Sequence, residues 1–218
     1  MIFNLKKEIG TFLAIFLVSC FLVYLFLNGG AYFRILRYEL LLRFPFIEKD
    51  LGVKPILDFG NAPETRTTGN EKSYNLYIPK ISVLAPIIFP KDKSNENILT
   101  SLEDGVALYP GSSMPGENGR AVILGHSSRI TWYRGRYAYV FALLNKLQSG
   151  DEFYVVSGNK RLVYKVFAND TLTPEKTNEI LSQPPKNKSE IALITCWPIG
   201  SSSKRTLIQA KLDNMEQL

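Results

Sequence analysis

His126 is the sole histidine of the 218-residue chain, and Cys196 is one of its two cysteines. The other, Cys20, lies inside an apolar N-terminal run, so the remainder of the chain holds no second thiol for a disulfide. A free thiol has a pKa of about 8.5 and is only a few per cent thiolate at neutral pH, so nucleophilic use of a cysteine needs help. A histidine within reach gives it, by taking the thiol proton or by pairing as imidazolium with the thiolate. The same imidazolium can then protonate a departing amine. Arg205 follows Cys196 by nine positions. A guanidinium stays protonated at any ordinary pH and can stabilise an oxyanion or orient a peptide carbonyl. Flanking the thiol, Thr195 offers a hydroxyl and Trp197 a ring that can shape the mouth of a cleft. These two are the candidate substrate contacts. Taken singly, a histidine at a strand end, a cysteine on an apolar strand and an arginine near a strand start each have an ordinary structural reading. Only their combination points to chemistry at a carbonyl carbon.

For that combination to work, residues seventy positions apart must meet. From Tyr74 onward the sequence breaks into short apolar runs separated by turn residues. Strands are expected at 74–78, 83–88, 106–109, 121–125, 152–157, 162–168, 191–196 and 206–212. Gly158-Asn159 marks a hairpin turn, and helices are expected at 140–147 and, started by Pro174, at 175–181. Eight short strands with few helices predict a mainly β barrel or sandwich. The runs RAVILGH (120–126) and IALITC (191–196) are apolar on both faces and belong in the middle of a sheet. Period-two alternation puts Val122, Leu124 and His126 on one face of the first, and Ala192, Ile194 and Cys196 on one face of the second. If these strands are parallel neighbours, His126 and Cys196 emerge side by side.

The N-terminus reads differently. Residues 9–27 (IGTFLAIFLVSCFLVYLFL) carry no charge, and nineteen helical residues reach about 28 Å, close to the thickness of a bilayer's hydrocarbon core. A signal-peptide core is usually about 7–15 residues long, so an uncleaved anchor is expected. Lys6 and Lys7 precede the segment while Arg34, Arg37 and Arg43 follow it, and that balance does not fix orientation. Residues 32–46 alternate aromatics and leucines with arginines, as either a membrane-surface helix or a continuation of the anchor would. The expected organisation is a tail at 1–8, an anchor at 9–27, a juxtamembrane segment and linker at 28–73, a catalytic β-domain at 74–212 and a tail at 213–218. The formal net charge of +6 suits an anionic neighbourhood. No nucleic-acid-binding motif is present. One Cys and one His fall short of a structural zinc site and no acidic loop has calcium-ligand spacing, so neither metal nor cofactor is expected.

The motifs resemble those of the sortase family. Leu193-Ile194-Thr195-Cys196 followed by Arg205 is similar to the family's Leu-x-Thr-Cys strand and arginine, and Leu124-Gly125-His126 to its histidine strand. Phe141, Leu144, Leu147 and Gly150-Asp151 match its F-x-x-L-x-x-L-x-x-G-D, and Ile78-Pro79-Lys80-Ile81 its entry into the first strands. Gly105-Val106-Ala107 and Gly119 resemble the segment before the histidine strand. Ala192 departs from the pattern, standing where the signature threonine begins the motif. The resemblance implies an eight-stranded barrel behind a single membrane helix, with the catalytic domain outside the cytoplasm. It implies a transpeptidase that cleaves a sorting motif of Leu-Pro-x-Thr-Gly type through a thioester on Cys196. His126 would protonate the leaving amine, and Arg205, assisted by Thr195, would hold the motif or the oxyanion. The implied partners are sorting-motif-bearing surface proteins, an amine acceptor in the cell wall or a pilin, and membrane lipid. Two other readings stay open on the residues alone. One is an anchored cysteine peptidase or wall hydrolase; the other is a non-enzymatic anchored β-domain for adhesion or partner binding. The loop 127–139, with Arg129, Arg134, Arg136, Trp132, Tyr133 and Tyr137, borders the cleft or packs as an ordinary surface loop.

Overall fold

The computed structural model describes residues 2–43, 73–128 and 135–218. The linker 44–72 lies outside the described residues, as do Arg129, Trp132, Tyr133 and Arg134 of the loop after His126. The elements run α1 (Ile2–Arg43), β1 (Tyr74–Ile78), β2 (Val83–Ile88), α2 (Asn95–Asp104), β3 (Val106–Leu108), β4 (Gly119–Leu124), β5 (Glu152–Ser157), β6 (Lys160–Leu172), α3 (Pro174–Ser182), β7 (Ser189–Trp197) and β8 (Lys204–Gln217). Eight strands close into a barrel in the order β1-β2-β3-β4-β7-β8-β6-β5. The eight expected strands are all present, several of them longer than the apolar pattern alone marks. Closure leaves no edge strand, which removes the usual template for unwanted pairing.

Alternation along β4 and β7 sets the two faces of the wall. Ala121, Ile123, Ile191 and Leu193 point into the main core with Phe141, Phe153 and Tyr164. The other parity, with Ala192, Ile194 and Leu207, forms a second apolar cluster outside the barrel, joined by Val122, Leu124, Ile180 and Leu181. β7 is therefore covered on both faces, as its unbroken apolar sequence demands. Helix α3 supplies the outer cover. Thr173 caps it by accepting from the Lys176 N–H at 3.4 Å, and Pro174 opens its first turn.

The segment 140–147, expected to be helical, instead runs through tight turns into a 3₁₀ stretch at Leu144–Lys146. Its N–H groups bond three residues back, Leu144 to Phe141 and Leu147 to Leu144 among them. In 3₁₀ geometry residues three apart eclipse one another. The spacing Phe141, Leu144, Leu147 thus aims all three side chains into the core, where each is fully buried. An α-helix would rotate the third away. The following Gly150-Asp151 turn is held by Asp151 Oδ2, which accepts from the Gln148 N–H at 2.6 Å and from Lys80 Nζ at 2.7 Å. Lys80 belongs to Ile78-Pro79-Lys80-Ile81, so two distant motifs are halves of one contact.

Helix α2 was not legible from apolar spacing. It is capped by Ser94, whose hydroxyl accepts from the Asn97 N–H at 3.3 Å, and buries Leu102. Helix α1 contains the whole 9–27 run and continues to Arg43, so residues 32–43 extend the same helix, and 44–46 lie outside the described residues. By length and apolar composition it can cross a membrane over Glu8–Leu40.

One buried ion pair braces the outer wall. Arg120 and Glu190 are register partners on β4 and β7, and their side chains are 7% and 1% exposed. The Arg120 Nη2–Glu190 Oε2 distance is 3.0 Å, and Nη1 donates to the carbonyls of Ile180, Leu181 and Gln183 at the end of α3. A guanidinium there satisfies orphan carbonyls and complements the helix dipole. Removing one partner leaves the other buried and uncompensated. Glu190→Gln and Arg120→Met should each destabilise the fold by about 3–5 kcal/mol in denaturant titrations, with the double variant Arg120→Met/Glu190→Leu losing less than either.

Candidate active site

β4 and β7 are parallel and pair in register from Gly119↔Ser189 to Leu124↔Ile194. Two more contacts carry the ladder past the end of β4. The Gly125 N–H donates to the Ile194 carbonyl at 3.1 Å, and the Thr195 hydroxyl donates to the Gly125 carbonyl at 2.8 Å. The register pairs end two residues short of His126 on one strand and of Cys196 on the other, so the same register continued would bring the two opposite each other at the spacing of neighbouring strands, about 4.8 Å. On the other side of β7, Cys196 is the register partner of Arg205 in the antiparallel β7–β8 pair. By parity all three belong to the outer face, with Leu124, Ile194 and Leu207. All three are partly exposed.

Gly125 is fixed by packing. A Cβ there would meet the Phe141 ring at 2.3 Å, so only glycine lets the strand pass this close to the aromatic plug. The His126 carbonyl accepts from the Phe141 N–H at 2.9 Å, which tethers the histidine's backbone to the same plug. Past β7, the Gly200 N–H donates to the Ser128 hydroxyl at 2.8 Å. The loop after the cysteine is thereby tied to the loop after the histidine. Sequence patterning alone gives no sign of Ser128, since a serine in a loop carries no signal of pairing.

Arg205 directs Nη1 to the carbonyls of Ser202 at 2.7 Å and Lys204 at 3.0 Å. It also acts on α3. The Glu175 carboxyl is held below its usual range, first by its own backbone N–H, then by the Thr173 hydroxyl, and further by the field of Arg205. Thr195, read from sequence as a substrate contact, is 4% exposed, and its hydroxyl is engaged by Gly125. Its parity is that of Leu193, toward the barrel interior. What it does here is lock the histidine strand to the cysteine strand. Trp197 closes β7 opposite Lys204 and is partly exposed beside the thiol.

A cleft of about 560 Å³ runs along the outer face. Val122, Leu124 and Ile194 form its floor, Thr177 and Leu181 of α3 one wall, Tyr109 and Lys93 the other, and Arg205 one end. Its lining mixes apolar and polar side chains, and of the three candidate catalytic residues Arg205 alone contributes to it. Among the described residues no three His, Cys, Asp or Glu side chains converge as a metal site would require.

The sequence and the fold both match known proteins. A family model described as the sortase domain covers residues 76–213. Sortase D of Bacillus subtilis (strain 168) is 30% identical over 152 residues, 68% of this chain and 66% of that protein, just under two thirds of its length. Among solved structures, a lid mutant of sortase A from Corynebacterium diphtheriae is 30% identical with a TM-score of 0.55, covering 67% of this chain and 74% of that one. Sortase C-1 from Actinomyces oris is 30% identical with a TM-score of 0.53, covering 65% and 73%. The barrel, the Gly-His and Leu-x-Thr-Cys strands and these matches agree: the chain belongs to the sortase family.

Proposed function

We propose that this protein is a membrane-anchored cysteine transpeptidase in which Cys196, His126 and Arg205 carry the reaction. Two registers support the reading: Cys196 is the antiparallel partner of Arg205, and the β4–β7 ladder pairs Leu124 with Ile194, two residues before His126 and Cys196. Cys196 as thiolate attacks the carbonyl carbon of a peptide lying in the outer cleft. The tetrahedral oxyanion forms beside the Arg205 guanidinium, which turns toward it from the loop carbonyls. His126 as imidazolium gives its proton to the leaving amine as the C–N bond breaks, leaving a thioester on Cys196. A second amine then attacks the thioester carbonyl, its proton passes to His126, and the thiolate leaves. Water in place of the amine gives hydrolysis.

The substrate is read as a sorting motif of Leu-Pro-x-Thr-Gly type on a surface protein. The floor of Val122, Leu124 and Ile194 suits its apolar residue, and the scissile carbonyl falls toward Cys196 at the Arg205 end. The acceptor is an amine of the cell wall or a pilin. With α1 in the membrane as a single span, the barrel lies on the extracytoplasmic side, where such substrates are found.

The test uses the full chain in lipid nanodiscs with a small sorting-peptide library. Mass spectrometry should find an acyl thioester on Cys196, and added amine should yield a joined product beyond the free acid. Cys196→Ala and His126→Ala should abolish turnover, and full activity in the Cys196→Ala variant would falsify the mechanism. Arg205→Ala should lower kcat by about 10²–10³, as loss of an oxyanion donor does. Thr195→Val should cost about 1–3 kcal/mol of stability by stranding the buried Gly125 carbonyl, read as a lower denaturation midpoint.

A further inference from the structure

Helix α1 does not end its work at the membrane. From Ile9 to Leu27 every side chain is exposed, and then one face turns inward. Asn28 is 1% exposed and Ala31 0%, and Ile35 and Tyr38 are half-buried against the main core. With Tyr24 these residues step by four, three, four and three, the spacing of a single helix face. Two segments of the barrel receive that face. One is the loop between Cys196 and Arg205. The Tyr24 hydroxyl donates to the Ile199 carbonyl at 3.2 Å, and Ala31 packs on Ile199. Asn28 lies so close to Gly200 (φ +79°) that a Cβ there would meet its Oδ1 at 2.8 Å. The other is the segment after His126. Gly30 passes so close to Tyr139 that a Cβ would strike its ring at 2.6 Å, Ala31 also touches Ala142, and Arg34 Nη1 donates to the Tyr139 carbonyl at 3.0 Å. Further along, Lys146 Nζ pairs with Glu39 Oε1 at 2.5 Å.

Small residues, Gly30 and Ala31, let the helix approach closely, and one polar residue, Asn28, sits inside an otherwise apolar stripe, an arrangement that fixes register between packed elements. The register matters because of Gly200. Its N–H is held by Ser128, two residues beyond His126, while Asn28 fills the space a Cβ on it would take. Helix, histidine loop and cysteine loop thus meet at one glycine, five residues from Arg205.

We infer that the face Tyr24–Asn28–Ala31 of the anchor helix is a positioning element of the active site, clamping the Cys196–Arg205 loop against the loop that follows His126. The inference rests on the transpeptidase reading above. The clamp holds catalytic groups in place without touching substrate. Its loss therefore lowers kcat and leaves KM for the sorting peptide nearly unchanged, since the floor of the cleft lies elsewhere on the barrel.

The test compares full-length wild type, Ala31→Trp, Tyr24→Phe and the conservative Ala31→Ser in lipid nanodiscs. Hydrogen exchange is followed on peptides covering 198–204 and 136–142, together with thioester formation on Cys196. Ala31→Trp cannot seat between Ala142 and Ile199. It should speed exchange in both segments and lower kcat by about tenfold or more, as small displacements of reacting groups do. Tyr24→Phe should give the same changes in smaller measure, and Ala31→Ser should behave as wild type. Unchanged exchange in β5 and β6 marks an intact barrel; if Ala31→Trp unfolds it, the comparison of Tyr24→Phe with Ala31→Ser decides. Exchange and kcat equal to wild type in both disruptive variants overturn the clamp, and loosened loops with unchanged kcat overturn its positioning role. A wild type that protects the loops but forms no thioester defeats the transpeptidase reading instead, and with it any catalytic purpose for the contact.

Discussion

The parallel register between β4 and β7 is the constraint on which the rest of this molecule depends. It is closed at its upper end by two hydrogen bonds, Gly125 N–H to the Ile194 carbonyl and Thr195 hydroxyl to the Gly125 carbonyl. Side chains alternate strictly along a strand, so a slip of one residue would send the thiol or the imidazole into the barrel interior. The closed barrel prevents that slip from both sides. β7 is held by β4 on one edge and by β8 on the other, and the β8 ladder delivers Arg205 directly opposite Cys196. Backbone hydrogen bonding thus sets Arg205 opposite Cys196 and runs the strand that leads to His126 alongside, with packing below and α3 above.

The same logic explains motif positions that carry no reactive group. Gly125 is the only residue type that fits under the Phe141 ring, and Phe141 in turn holds the His126 carbonyl. Leu144 and Leu147 continue that plug at a spacing of three. Asp151 ends it and fastens it to Lys80 in the turn after β1. A family pattern that reads as scattered glycines, leucines and acids is therefore a connected support running from the first hairpin to the histidine.

Much of this was legible in the residues, and the reasons differ from place to place. The strands announced themselves because a wall buried on both faces needs continuous apolar sequence, as in 120–126 and 191–196. The hairpin at Gly158-Asn159 was readable from turn chemistry, and Gly158 adopts a φ of +59° there. The segment 140–147 misled because Phe141, Leu144 and Leu147 fit a helical face about as well as a 3₁₀ turn, and only packing decides between them. Helix α2 was missed because its buried face is small, little more than Leu102 and Ser101. The Arg120–Glu190 brace was hidden for another reason. Two charges flanking apolar strands look like strand ends on the surface until register places them together under α3. Thr195 stands beside the thiol in the sequence, but a sequence does not say that its hydroxyl bonds to the neighbouring strand. The docking face of α1 was masked by the helix's overall hydrophobicity, which makes Ala31 and Ile35 look like more of the anchor.

In the proposed reaction His126 and Cys196 share a proton. That sharing is tested most directly by the rate of iodoacetamide alkylation at Cys196 as a function of pH, followed on the peptide carrying that residue in wild type and in His126→Ala. Two different profiles are expected, with the wild-type thiol reacting faster near neutral pH and its profile bearing a second ionisation that the variant lacks. Superimposable profiles would mean that the imidazole has no influence on the sulfur, and the proposed reaction would have no proton carrier.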